Sequence, residues 1–373
     1  MSRAWPDPIE SVAPRYSRAM RCALVEFNHY HDEVLPTFVW LLNRLDITPD
    51  VYMVARSARR RAFAGSEGLR YRARSVAGMD RLGGLAWRLR RYDLAIVNSM
   101  EPPELLGRAA RLVVPLLGVV HNAHLLLDDA GYRAFFAAPD RRPLVLGQHI
   151  AERLGASAGT PWWISHVVFG APPWAPREPS RPTIFAVSGN VEFPRRNYDA
   201  LLDAAGALAG EDVSFLIRIV GRSTSRDGKA LRATVESRGL ASRFEFSPGE
   251  IDHPRFFQLI AESDFSLPLI DTSRDVFRAY LETKLTSSVP FAIGLGVPLV
   301  ANAALVRAYG IEGTGPEYQD GGLTEAMRRA IASTEEERSG WRGALGTKRD
   351  AILESSLTNL RAAISAVRSG GAR

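Results

Sequence analysis

The chain has 373 residues, and its 46% hydrophobic content suffices for two cores, so two domains are the expectation. Its lone cysteine, Cys22, excludes a disulfide framework and any cysteine-built metal centre, and suits a reducing compartment. The seven histidines show no HExxH-type spacing, so no metal ligand is assigned and no metal or other cofactor is expected.

The net charge of +6 is concentrated rather than spread. Eleven arginines fall between Arg56 and Arg91 against Glu67 and Asp80, with Leu69, Tyr71, Leu82, Leu85, Trp87 and Leu89 interleaved. Such a stretch reads as a solvated arginine-rich face or as an interfacial patch for anionic lipid. Nucleic acid is set aside as a partner, because no nucleic-acid motif accompanies the charge. No positive segment followed by an apolar one opens the chain, and no apolar run approaches the ~20 residues that span a bilayer. The expectation is a cytoplasmic protein, if membrane-associated then peripheral on the inner face.

In chain order, residues 21–27 read as a first buried strand, and residues 31–43 as a helix with Val34, Leu35, Phe38, Leu41 and Leu42 on one face. Strands are expected at 51–54, 93–97 and 112–120. Alternation of strands and helices predicts a parallel sheet covered on both faces, with ligands at the carboxyl ends of its strands. His29, Asn98, Ser99 and His121 fall at such ends.

Five prolines between Gly170 and Pro182 mark a stiff linker, placed at 171–182. A second alternating set follows: strands at 183–187, 213–220, 243–246 and 265–270, and helices at 197–208, 229–238 and 254–262. The domains are therefore set at 1–170 and 183–335, with a helical segment at 336–373 packing back on the first domain. Two α/β domains across a hinge imply a ligand cleft between them.

The segment from Lys284 to Val300 carries the strongest local signal. Ser287 or Ser288 is expected to cap a short helix whose first turn holds Pro290. Gly294 and Gly296 are expected at its end, with a strand from Val297 to Val300. A turn of Thr286, Ser287 and Ser288 at a helix N-terminus, entered past Lys284, is suited to an anion. Arg195 and Arg196 at another helix start, where the dipole disfavours cations, point to a bound anion as well.

These pieces resemble the donor-binding half of GT-B glycosyltransferases, most of all family 4. Phe185 to Asn190 followed by Arg195-Arg196-Asn197, Ile217 to Arg222, Gly239 to Glu250, and Ala261 to Pro268 followed by Ala292 to Val300 match that family's motifs in order. The resemblance covers roughly residues 160–310, and implies two Rossmann-like domains with parallel sheets facing across a cleft. It implies a nucleotide-diphosphate sugar as donor and a polysaccharide, lipid-linked or other glycan as acceptor. Hexosyl transfer is the expected reaction, with retention slightly favoured and no metal required.

On this resemblance Gly189, Asn190, Arg195, Arg196, Gly221, Lys284, Thr286, Ser287 and Ser288 are expected at the diphosphate. Glu250 and Ile251 are expected at the base, and Glu282 at the ribose or sugar. His121 matches the family's cleft histidine, and His29 and His31, with Asp32 and Glu33, are further candidates for acid–base work. The sequence departs from the family at its Glu-x7-Glu motif, where Thr283 and Phe291 stand. Asn190 replaces the usual arginine, and residues 271–280 are an added stretch. These departures keep open a second reading, a GT-B-like binding or scaffolding protein without catalysis.

Overall fold

A computed structural model describes residues 20–28, 30–76, 84–101, 103–158, 162–170 and 181–370. His29, and most of the expected linker (171–180), lie outside the described residues.

The first sheet has seven parallel strands: β1 (Cys22–Glu26), β2 (Asp50–Met53), β3 (Arg72–Ser75), β4 (Leu94–Val97), β5 (Leu116–Val120), β6 (Arg141–Val145) and β7 (Trp162–Trp163). Their order is β3-β2-β1-β4-β5-β6-β7, so the chain winds outward from β1 and then reverses to the other side. The reversal falls between β1 and β4, and it opens the crevice where such sheets bind ligands. Among the described residues, the helices interleaved with these strands are α1 (Leu35–Arg44), α2 (Ala55–Arg60), α3 (Gly84–Leu89), α4 (Pro103–Ala109), α5 (Leu125–Asp128), α6 (Ala130–Phe136) and α7 (Gln148–Ala158). Every residue of β1, β4 and β5 is buried, which is why those strands read as continuous apolar runs.

The second domain repeats the plan with β8 (Thr183–Ser188), β9 (Phe215–Val220), β10 (Phe244–Phe246) and β11 (Phe265–Ser266), ordered β10-β9-β8-β11 and all parallel. Its helices are α8 (Tyr198–Ala209), α9 (Arg226–Ser237), α10 (His253–Ala261), α11 (Asp275–Glu282), α12 (Ser288–Leu295), α13 (Ala303–Tyr309) and α14 (Leu323–Ala332). A short ribbon, β12 (Ala301–Asn302) with β13 (Glu317–Tyr318), extends the fold beyond α12. The added stretch at 271–280 is largely α11.

The last helix, α15 (Glu335–Gly370), begins at a capping box. The Thr334 N–H donates to Glu337 Oε2 (2.8 Å), and the Glu337 N–H donates to Thr334 Oγ1 (3.2 Å). Its first half buries Leu345, Ile352 and Leu353 against α12 and α13. Its second half buries Leu360, Ala363, Ile364 and Val367 in the core of the first domain. One helix therefore spans both domains. No helix among the described residues is long and apolar enough to cross a membrane.

Both glycines fall at the C-terminal end of α12: Gly294 is in its last turn, where a Cβ would meet the Phe169 ring and the Val167 carbonyl at 2.6 Å, and Gly296 is the C-cap, in the left-handed conformation (φ 69°). Two local expectations are corrected. The Val297–Val300 strand is reduced to a single bridge between Leu299 and Ser266 ahead of β12. Neither serine caps α12 with its side chain: Ser287 is the N-cap residue but makes no such bond, and Ser288 is the first helical residue.

Candidate active site

The glycine turn after β8 is fixed by contact with its neighbour. Gly189 has φ 100° and Gly221, at the end of β9, has φ 137°. A Cβ on Gly221 would lie 2.5 Å from the Gly189 carbonyl oxygen, so glycine is required for the two turns to approach. Arg196 fills the space above: its Nη2 lies 3.0 Å from where a Gly189 Cβ would sit. That nitrogen donates to the Ser188 carbonyl and to Ser288 Oγ (3.3 Å), and Nη1 donates to the Asn190 carbonyl (3.3 Å). Ser188 Oγ and Ser288 Oγ are 3.3 Å apart. Arg196 Nε is buried without a hydrogen-bond partner.

A guanidinium, a glycine turn and the first residue of α12 thus converge. The Thr286 N–H is taken by the Tyr309 hydroxyl (2.9 Å). Lys284 stands beside this turn, its ammonium lowered by burial and by the charge of Arg195 against the pull of Glu101.

Two expected donor-site groups lie in ion pairs. Glu250 pairs with Arg56 of the first domain (3.0 Å), and Glu282 lies 3.7 Å from Arg153 and 3.9 Å from Arg278. Arg195 is exposed and pairs with Glu192 at 2.7 Å, so of the two adjacent arginines only Arg196 joins the glycine turn. Ile251 packs beside an aromatic cluster of Phe169, Phe257 and Phe291.

Across the cleft, the carboxyl ends of β1, β4 and β5 carry a buried polar cluster. The His31 and His121 rings are stacked with centroids 3.7 Å apart. His121 Nε2 donates to the Asn98 carbonyl (2.8 Å), which leaves the lone pair on Nδ1. Burial holds the His121 imidazole well below its ordinary value, with the charge of His31 acting in the same direction. Burial would lower His31 too, but Glu33, 3.9 Å away, with Glu26 and Glu101 behind it, carries that imidazole upward. Burial thus favours the neutral form of His121, while the neighbouring carboxylates favour the protonated form of His31.

Glu26 and Glu101 complete the cluster, and neither was among the candidates. Glu26 is fully buried at the end of β1, accepting from the Asn28 N–H (2.8 Å), Asn98 Nδ2 and Ser99 Oγ (3.0 Å); burial raises its carboxyl to about 7. The sequence did carry a signal for it, a lone charge closing an otherwise apolar strand. Glu101 accepts from the Asn122 N–H (2.7 Å), and its other oxygen is buried without a partner.

The two half-sites touch. Asn122, next to His121, pairs with Lys284 in an antiparallel bridge, and the Ala123 N–H donates to the Thr283 carbonyl (2.9 Å). His121 thus stands one residue from the contact with the turn that leads into α12. A second contact lies below. Asp32 Oδ1, fully buried, accepts from His253 of α10 (3.0 Å) and pairs with Arg60 (2.9 Å). Asp32, Glu33 and His253 bring three metal-capable atoms within 4.8 Å, but the Arg60 guanidinium already supplies the positive charge there.

The arginine-rich stretch is not one outward face. Arg56 and Arg61 pair with Glu250 and Asp252 of the second domain, Arg60 pairs with Asp32, and Arg72 and Arg74 flank Asp50. Arg59, Arg88, Arg90 and Arg91 are exposed, and so is Trp87, at 69%.

Two Rossmann-like domains whose parallel sheets face a shared cleft define the GT-B fold, and this chain has it. Among solved structures it is similar to HepE of Anabaena in complex with UDP and glucose: TM-score 0.64 at 16% identity, over 93% of this chain and 99% of that one. HepE with UDP alone gives 0.61 at 15%, over 93% and 100%, and a glycosyltransferase of Rickettsia africae gives 0.61 at 11%, over 94% and 99%. These identities are low, and the likeness is one of fold. No protein-family model matches the chain, and no curated protein matches it by sequence.

Proposed function

We propose that this chain is a glycosyltransferase that moves a hexosyl group from a nucleotide-diphosphate sugar to a glycan or lipid-linked acceptor. The carrying observation is the convergence of Arg196, the Gly189 turn and Ser288, joined through the Asn122–Lys284 bridge to a neutral His121. When the glycosidic bond breaks, charge grows on the leaving diphosphate. Arg196, the Ser288 hydroxyl and the N-terminus of α12 are set to stabilise that charge. His121 Nδ1 accepts a hydrogen bond from a donor-sugar hydroxyl. In the retaining course, the departing phosphate oxygen takes the acceptor's proton, and no separate base is needed.

The test is a panel of UDP-, GDP-, ADP- and dTDP-sugars, followed by thermal shift and by release of the nucleoside diphosphate. A melting shift with one nucleotide series, and release in the presence of acceptor, are the expected results. No shift with any nucleotide would remove the proposal.

One observation favours the second reading, nucleotide binding without catalysis. Phe291, where the family places a glutamate, is buried against Phe169, Phe256 and Phe257 at centroid distances of 5.1, 5.3 and 5.7 Å. Binding without turnover across a broad acceptor panel would establish that reading instead.

The acceptor side suits a membrane surface. The exposed Arg59, Arg88, Arg90 and Arg91 with Trp87 combine cations with an aromatic anchor. Charge reversal at Arg88, Arg90 and Arg91 is expected to reduce binding to anionic liposomes; unchanged binding would refute this patch.

A further inference from the structure

A cavity of about 190 Å³ opens where both domains and α15 meet, and α12 lines it with Val289, Pro290 and Ile293 but not with Ser288. Its apolar lining is Val289 and Ile293 of α12 with Ile352 of α15, and Trp163 of β7 lines it as well. It exceeds the roughly 150 Å³ cavity that holds a benzene ring, so one six-membered ring fits. Two cations, Arg307 at the end of α13 and Lys348 of α15, flank it. Lys348 is one of three lysines in the chain.

The remaining wall is polar. Glu152 carries a carboxylate steadied by Gln148 (2.7 Å), which suits it to accept from hydroxyls. His149 lies beside it with Nε2 buried and unpartnered. Burial holds this imidazole down at about 4, against a hydrogen bond to the Lys284 backbone, so the ring is neutral and Nε2 is free to bond a ligand. An aromatic face, acceptors for hydroxyls and two cations together match one chemistry.

We propose that this cavity is a second ligand site, separate from the donor cleft, for a small anion bearing hydroxyls, of the sugar-phosphate class. The sugar ring lies against Trp163 with hydroxyls at Glu152 and His149, and the phosphate faces Arg307 and Lys348. The site is coupled to the donor side by one residue. The Tyr309 ring packs on His149 (centroids 4.2 Å), and its hydroxyl accepts from the Thr286 N–H and donates to the Tyr280 carbonyl (3.0 Å). An occupant therefore braces the turn that leads into α12. Only this coupling rests on the donor reading above; the cavity's own chemistry does not.

Glucose 6-phosphate is the probe, titrated calorimetrically into the full chain without nucleotide. One-to-one binding is expected, with glucose or inorganic phosphate alone at least about tenfold weaker. Arg307→Glu with Lys348→Glu is expected to weaken it by at least about tenfold while leaving UDP binding unchanged. Ile293→Trp, which fills the cavity, gives the same result should the charge reversal fail to fold. Arg196→Ala is expected to spare glucose 6-phosphate binding. The proposal is overturned if glucose 6-phosphate does not bind at millimolar concentration, if UDP displaces it competitively, or if the charge-reversed and filled variants bind it as the parent does. If glucose 6-phosphate binds as described while UDP fails to bind at all, the donor reading falls and this site stands.

Discussion

His31 lies stacked on His121 with ring centroids 3.7 Å apart, and their surroundings push the two imidazoles in opposite directions. The carboxylates of Glu33, Glu26 and Glu101 raise His31 against its burial. Burial, with the charge of His31 acting the same way, lowers His121, which is bonded through Nε2 to Asn98. His121→Ala is expected to lower kcat by about 10²-fold or more while nucleotide affinity changes only a few-fold. Initial rates beside calorimetric UDP titration check the split. An equal loss in both would make His121 a structural residue.

Glu26 predicts a pH signature in stability. Burial raises its carboxyl from 4.5 to about 7, so between those values the folded chain holds a proton that the unfolded chain has released. Its contribution is therefore present at low pH and lost as pH rises through that window. Glu26→Gln does not titrate. The stability of this variant relative to the parent is expected to improve from about pH 5 to about pH 8, by up to about 3 kcal/mol. Denaturant melts at the two pH values measure it.

Much of this arrangement was legible in the sequence, and the failures have physical causes. Strands β1, β4, β5 and β8 are buried along their length and announced themselves as largely apolar runs. The edge strand β3 did not: its four residues, Arg72 to Ser75, are all exposed, so nothing in their side chains marks a strand. β6 opens with Arg141, Arg142 and Pro143, and hides for a similar reason. In the site, the glycine turns and the start of α12 were legible because their backbone demands are local, but the expected serine cap was not found. Which of Arg195 and Arg196 serves them was not, because that depends on how α8 is seated. Glu250 shows the same limit, since its partner Arg56 is 194 positions away.

The interdomain contacts differ in their expected weight. Asp32→Ala leaves His253 and Arg60 facing each other without their carboxylate, and is expected to cost about 3–5 kcal/mol. Arg56→Ala breaks a pair whose side chains are 46% and 56% exposed, and is expected to cost less than about 1 kcal/mol. Equilibrium urea unfolding of both variants tests the contrast.

Restoring the family's glutamate at position 291 is not expected to improve the protein. The Phe291→Glu side chain would be surrounded by Phe169, Phe256, Phe257 and His166, with no cation among the rings that contact it. A cost above about 4 kcal/mol is expected, seen as a lost or strongly lowered melting transition. A well-folded variant with higher activity would show that this aromatic packing had been misread.

The central claim is that Arg196 and the start of α12 hold the diphosphate of a nucleotide sugar. Its most direct test is calorimetric titration of UDP, GDP, ADP and dTDP, each beside its bare nucleoside, into the parent and into Arg196→Ala. The account predicts that one diphosphate binds the parent far more tightly than its nucleoside. It predicts that Arg196→Ala loses about 1.5–3 kcal/mol of that binding, roughly 10- to 150-fold, while nucleoside binding is unaltered. Equal affinity of the diphosphate for both proteins would contradict it.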